Sequence, residues 1–245
     1  MTVRPDIIAH RGASGHCHEN TMAAFERAVA DGADGIEFDL RVTADGHWVV
    51  HHDPVIPIAE SVVRIDKLTL REVKMLWAGP HRDPIPSLTE FLEWAGRQPI
   101  SLVFDIKDSI KIDRLVASVH EANIPNPCVY SAFRKSVVRE IRRLEPEWKT
   151  ARIVGDPRWR LVRRMMSGPL VRLAQDEQLS ALHLHERWIT PSVIEDAGNR
   201  SLRLVVWTVD DPIRMRLLSE LGVDAVITNR PGLAREILGA DDTNS

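Results

Sequence analysis

Three carboxylates, two histidines and two cations stand out by their spacing. Glu37 and Asp39 are two residues apart in the run Asp34-Gly35-Ile36-Glu37-Phe38-Asp39-Leu40, and Asp105 and Lys107 are two apart in Ile100-Ser101-Leu102-Val103-Phe104-Asp105-Ile106-Lys107. Both runs read as strands, where positions two apart share a face. Each pair then projects together near the C-terminal end of its strand. His10 and Arg11 follow the apolar run Ile7-Ile8-Ala9, and His51 and His52 follow Trp48-Val49-Val50. Only one of two adjacent histidines can face a site, and His52 is the candidate because the residues after it leave the strand. Two imidazoles, His10 and His52, can take and give a proton in one reaction; each alone also fits a hydrogen-bonded core role. Inward carboxylates are costly unless paired or bound to a cation. Arg11 and Lys107 compensate only part of the charge on Glu37, Asp39 and Asp105, and a hard divalent ion, Mg2+ or Ca2+ rather than Zn2+, suits the all-oxygen set. The alternative is a structural salt-bridge network, Glu37 with Arg11 and Asp105 with Lys107, and spacing alone does not choose between them.

The elements that must position these groups alternate along the chain. Ile7-Ile8-Ala9 reads as the first strand, and a loop with two glycines leads to a helix over Met22–Val29 that Thr21 or Asn20 can cap. The strand over 34–40 and a hairpin arm over 48–53 come next, joined by the turn Thr43-Ala44-Asp45-Gly46. Residues 54–86 hold Pro54, Pro57, Pro80, Pro84 and Pro86 around one helix-like piece, Leu70–Leu76, and read as a small insertion over the site. Further strands are expected at 100–107, 127–131, 150–154, 181–185, 202–208 and 223–228, with helices at 87–94, 110–122, 135–144, 158–171, 191–198, 212–221 and 231–238 between and after them. Eight strand–helix units in 245 residues predict a single-domain α/β protein over 1–245, a (β/α)8 (TIM) barrel of parallel strands with right-handed crossovers. An open doubly wound sheet is the alternative. In either, strand exits are where the chemistry sits.

Composition narrows the function classes. The chain is 44% hydrophobic and 27% charged, with a net charge of −3, which gives no reason to expect nucleic acid as a partner. No apolar run is long enough to span a bilayer, and the first residues carry no apolar stretch of the signal-peptide kind, so a cytoplasmic protein without a transmembrane segment is expected. Cys17 and Cys128 form no CxxC pair. Cys17, inside the His-Arg-Gly loop, is read as a small space-filling residue rather than a nucleophile. Arg158, Arg160, Arg163, Arg164 and Arg172, interleaved with apolar residues, read as a solvated barrel helix, or else as a face for lipid headgroups.

The runs HRGASG, ENT, GADGIEFDLRVTADGHWVVHHD, LVFDIK, VVWTVDD and LGVDAVITNRP, in this order from about residue 7 to 238, together resemble the glycerophosphodiester phosphodiesterase family. The resemblance implies a (β/α)8 barrel with an insertion after the second strand, a divalent metal on Glu37, Asp39 and Asp105, and His10 and His52 as the acid–base pair. It also implies phosphate contacts from Arg11 and Lys107, Trp207 lining the pocket, and a small glycerophosphodiester substrate cut to glycerol 3-phosphate and an alcohol. Three departures accompany it. His18 stands where the family has Pro, and the insertion lacks the Thr-Thr-Asn-Gly signature. Asp105 replaces a usual Glu, which sets the carboxylate back by about 1.3–1.5 Å. A lysophospholipase D with the same site and a catalytically idle phosphodiester binder are the other readings. An amidohydrolase would want His-x-His on the first strand, where this chain has His-Arg-Gly.

Overall fold

The computed structural model describes residues 4–58, 61–77, 83–157 and 169–239. The period-two alternation of the expected strands resolves into a closed barrel. Its parallel strands are β1 (Asp6–His10), β2 (Gly35–Val42), β6 (Ser101–Ile106), β7 (Cys128–Ala132), β8 (Thr150–Val154), β9 (Ala181–His185), β10 (Arg203–Trp207) and β11 (Ala225–Thr228). They neighbour one another in the order β1-β11-β10-β9-β8-β7-β6-β2, and β1 pairs with β2 to close the ring. The open-sheet alternative is thereby excluded. β3 (Trp48–Val50) runs antiparallel on the end of β2, as the turn chemistry at Thr43–Gly46 requires.

Alternate residues on each strand serve two different cores. The inner one is small: Ile8, Val103, Ala151, Ala181, Val205, Ala225 and Ile227 fill the barrel. The outer one holds the large side chains that strands turn toward the helices. There Phe38 packs on Phe91 and Phe104 at ring-centroid distances of 4.3 and 4.7 Å, and Phe25 on Phe91 at 4.7 Å. The helices α1 (Met22–Ala30), α2 (Leu70–Trp77), α3 (Leu88–Ala95), α4 (Ile112–Ala122) and α5 (Lys135–Leu144) are followed by helical residues 169–176 and by the helices Pro191–Gly198, Pro212–Glu220 and Pro231–Leu238. Their starts carry the expected signals: Thr21 accepts from Ala24 N, and Ser87 forms a reciprocal capping box with Glu90.

Two expectations need amending. The helix at 110–122 begins at Ile112, because Lys111 takes the left-handed conformation and ends the loop there. The Pro-rich segment 54–86 contains a β-hairpin, β4 (Val55–Ile58) with β5 (Ser61–Arg64), in which Pro57 lies opposite Val62. A two-stranded ribbon consists only of edges, where the missing N–H of a proline is tolerated. The first part of the expected helix 158–171, with Arg158, Arg160, Arg163 and Arg164, lies outside the described residues. Among the described residues, no helix is long and apolar enough to cross a membrane.

Candidate active site

The barrel's C-terminal mouth encloses a cavity of about 120 Å³ lined by His10, Arg11, Glu37, His52, Asp105, Lys107, Ser131, Phe133, Ile153, His183, Trp207 and Ile227. The site residues expected from sequence therefore converge, with one qualification. Asp39 is fully buried beside the cavity and does not itself line it. Cys17 is not among the lining residues.

The loop after β1 is shaped by its glycines. Arg11 and Gly12 both have positive φ, and a Cβ on Gly12 would lie 2.6 Å from the backbone carbon of Ala24, so the loop can press against α1 only with glycine there. The left-handed Arg11 turns its side chain away from Glu37. Its backbone N–H donates to Glu37 Oε2 at 3.0 Å, while Nη1 contacts both Glu19 carboxylate oxygens at 2.8 Å and Nε forms an ion pair with Asp39 Oδ2 at 2.9 Å. The expected side-chain pair Glu37–Arg11 is thus corrected to Arg11–Asp39 and Arg11–Glu19. The Asp105–Lys107 pair is present, and Lys107 Nζ also lies 2.7 Å from Asp39 Oδ1.

Asn20 and Glu19 belong to the hydrogen-bond network of the site, and spacing alone missed them. Asn20, also left-handed, donates to Asp39 Oδ2 at 2.8 Å and accepts from Asp39 N at 3.2 Å. In the triplet Glu19-Asn20-Thr21, one side chain therefore pairs with Arg11, the next clamps Asp39, and the third caps α1. The signal was the triplet's place in the quoted motif. His183 was also missed. It faces inward on β9 and is only 2% exposed, but its run Ala-Leu-His-Leu-His reads simply as a strand.

Electrostatics divide the carboxylates. Burial, then the like charges of Asp39 and Asp105, push Glu37 well above the usual carboxylate range. Burial also pushes Asp105 up, to about 6, against the pull of Lys107. For Asp39 burial acts in the same direction but is outweighed by Lys107, Arg11 and the Asn20 hydrogen bond, which hold it below the usual range. Burial, reinforced by Arg11, lowers His10. Burial, reinforced by Arg203, takes His183 down to about 3, so it is neutral at pH 7. His52 is partly exposed, with Nδ1 2.8 Å from Asp53 Oδ1, while His51 packs its ring edge-on to Trp77 at 5.2 Å. His52, as expected, is the one of the pair that reaches the cavity.

Glu37, Asp39 and Asp105 can each offer an oxygen, and these atoms lie within 4.8 Å of one another. Asp105 Oδ1 is buried without a hydrogen-bond partner among the described residues. An orphaned carboxylate oxygen in an all-oxygen cluster suits a hard divalent ion. The group fits.

A closed parallel barrel with histidines and a carboxylate cluster at its mouth has relatives among known proteins. The glycerophosphoryl diester phosphodiesterase family matches residues 10–233. A glycerophosphodiester phosphodiesterase of Caldanaerobacter subterraneus is 31% identical over 92% of this chain and 94% of its own length. Among solved structures, a glycerophosphodiester phosphodiesterase from Parabacteroides distasonis matches with a TM-score of 0.84 and 25% identity, over 99% of this chain and 100% of the other. A phosphodiesterase from Oleispira antarctica, solved with its product sn-glycerol-3-phosphate, shares the fold at a TM-score of 0.82 and 24% identity over 98% of each chain. The chain belongs to the glycerophosphoryl diester phosphodiesterase family, and with it to the phosphoric diester hydrolases.

Proposed function

We propose that this protein hydrolyses glycerophosphodiesters to glycerol 3-phosphate and an alcohol, with Glu37, Asp39 and Asp105 holding a divalent cation and His10 and His52 moving the protons. The observation that carries the reading is the opening of both histidines onto the cavity that also exposes Glu37 and the under-satisfied Asp105. A phosphodiester anion repels nucleophiles, so its reaction needs positive charge where negative charge grows. A cation bound there, Mg2+ or Ca2+, would neutralise charge on the non-bridging phosphate oxygens. Arg11 and Lys107 are already ion-paired, which fixes their position, and both line the cavity, where their remaining N–H groups would serve the same phosphate. One histidine takes the proton of the attacking hydroxyl, from water or from glycerol by way of a cyclic phosphate. The other gives a proton to the departing alcohol oxygen. Phe133, Ile153, Trp207 and Ile227 offer an apolar face to the organic part of the substrate.

The test is a panel of glycerophosphodiesters and lysophospholipids, each with Mg2+ or Ca2+, assayed for glycerol 3-phosphate, free alcohol and lysophosphatidic acid. Glycerol 3-phosphate as the main product is expected. Lysophosphatidic acid as the main product would replace the reading with a lysophospholipase D. No turnover of any diester by folded, metal-loaded protein would leave a binder.

A further inference from the structure

The alternation that puts Glu37 and Asp39 on one face of β2 continues to Arg41, one residue past the last β2 position that pairs with β6 and opposite Val49 of β3. Arg41 is not among the residues that line the cavity. Its guanidinium has two partners: Nε donates to the His52 carbonyl at 2.8 Å, and Nη1 donates to Asp108 Oδ1 at 3.1 Å. The other Asp108 oxygen accepts from the Val42 backbone N–H at 3.0 Å. Asp108 directly follows Lys107, whose backbone N–H donates to the Leu40 carbonyl at 3.1 Å. Asp108 is thus fastened to β2 by its side chain and by the backbone beside it. Through Arg41, the chain at His52 is fastened to the exits of both β2 and β6.

His52 has little else to hold it. β3 ends at Val50, and residues 51–54 leave the sheet. Among the described residues, two hydrogen bonds join positions 51–53 to the barrel: the His51 N–H donates to the Asp39 carbonyl at 3.0 Å, and Arg41 Nε donates to the His52 carbonyl. The His52 side chain is 38% exposed, and its ring meets Asp53, the next residue in the chain, which is itself 66% exposed. That contact moves with the loop and cannot locate the ring over the barrel. The backbone therefore sets where the imidazole stands, and Arg41 is the side chain that sets the backbone. A guanidinium suits the task because Nε and Nη1 diverge in one rigid plane, so a carbonyl and a carboxylate are held at a fixed separation. A lysine ammonium has no such fork.

We infer that Arg41 and Asp108 are positioning residues that hold the His52 loop against the exits of β2 and β6, so that the imidazole stands over Glu37, Asp105 and Lys107. This rests on the reading of His52 as a proton-transfer group. Neither residue touches substrate; each acts through His52. The rate is sensitive to such a hold, because a shift of about 1 Å in a catalytic group can cost about 100-fold. The carboxylates and Lys107 keep their own contacts when the pair is broken, so cation binding should not depend on it.

The test is a double-mutant cycle with a structural readout beside it. Glycerophosphocholine hydrolysis with Mg2+ is measured on wild type, Arg41→Lys, Asp108→Asn, His52→Ala and the double variant Arg41→Lys/His52→Ala. Arg41→Lys is expected to lower kcat about 10- to 100-fold, and Asp108→Asn by less, because it leaves the bond from Arg41 to the His52 carbonyl in place. KM should stay within about threefold. With His52 gone there is nothing left to position, so Arg41→Lys should cost no more than about twofold in the His52→Ala background. The same loss in both backgrounds would mean that Arg41 acts elsewhere, and an unchanged kcat in Arg41→Lys would mean that it acts nowhere; either result overturns the inference. Full activity of His52→Ala is a different failure, that of the underlying histidine reading. NMR of histidine-labelled protein, with the His52 ring signal identified by its loss in His52→Ala, reads the loop without turnover. That signal should shift or broaden in Arg41→Lys while the His10 signal stays, and an unmoved His52 signal would also overturn the inference. Thermal stabilisation by Mg2+ should match wild type, and its loss would assign the pair to the carboxylates instead. If Arg41→Lys does not fold, Asp108→Asn carries the same measurements.

Discussion

The wall of the mouth built by β1, β2 and β6 carries Arg11, Glu37, Asp105 and Lys107, with Asp39 buried behind them, while the wall built by β7 to β11 carries Ser131, Phe133, Ile153, His183, Trp207 and Ile227. On the second wall the polar groups are neutral or already committed. Ser131 Oγ donates to the Phe104 carbonyl at 2.9 Å, and Trp207 Nε1 to the His183 carbonyl at 3.0 Å. His183, with its pKa down at about 3, carries no charge at pH 7. The charged wall must therefore balance itself, and it does so incompletely, with Glu19, Glu37, Asp39 and Asp105 set against Arg11 and Lys107, four acids to two bases. The difference teaches a division of labour. On the proposed reading one side meets the phosphate and a cation and the other meets uncharged surface, and neither could substitute for the other without leaving a charge buried alone.

If the surplus negative charge is what holds a cation, removing one carboxylate should have the largest effect. Glu37→Gln and Asp105→Asn are each expected to lower kcat/KM by about 100-fold or more at fixed Mg2+. Thermal stabilisation of the wild type by the ion should disappear in both. A variant that retains activity through exhaustive chelation would end the comparison as drawn.

A smaller effect follows from pH, measured on metal-free protein. Burial raises Asp105 to about 6. A carboxyl raised on folding binds its proton more tightly in the native state, so its contribution to stability is complete below the unfolded value of 3.8 and lost as pH rises through about 6. Glu37, raised well above the usual carboxylate range by burial and by its like-charged neighbours, acts in the same direction. Asp105→Asn resembles the protonated form. It should therefore melt above metal-free wild type at pH 8, by an amount worth up to about 3 kcal/mol, and the gap should close toward pH 5. Added Mg2+ at pH 8 should reverse the order, because it stabilises only the wild type. A gap that widens toward pH 5 would contradict this charge balance.

How much of this was legible depends on distance along the chain. The barrel was readable because each strand declares itself over four to eight residues, and the carboxylate pairs because an i, i+2 relation is local. The partners of Arg11 differ from the Glu37 that the salt-bridge alternative would give it: with φ at 56° its side chain meets Glu19 and Asp39, and no spacing rule encodes that turn. The hairpin at 55–64 was hidden by Pro57, which looks like a strand breaker until the strand proves to be an edge. The contact of His10 with Asn229 spans 219 positions and exists only because the barrel closes. His10 lies in the quoted motif HRGASG and Asn229 in LGVDAVITNRP, but nothing local says what they touch.

The smallest effect belongs to the uncharged wall. Phe133 stands at the rim, partly exposed, edge-on to Trp207 at 5.7 Å and 87°, with its ring 5.6 Å from Lys107 Nζ. If this wall only receives the organic part of the substrate, Phe133→Ala removes contact made equally in ground and transition states. KM for glycerophosphocholine should then rise about 2- to 10-fold, the range for one aromatic contact of about 0.5–1.5 kcal/mol, with kcat nearly unchanged. The ring also borders the charged wall through Lys107, which makes this the position where the division can fail. A fall in kcat at constant KM would mean that the ring's main service is to hold Lys107 against Asp39 and Asp105. The boundary between the two walls would then run through Phe133 rather than beside it.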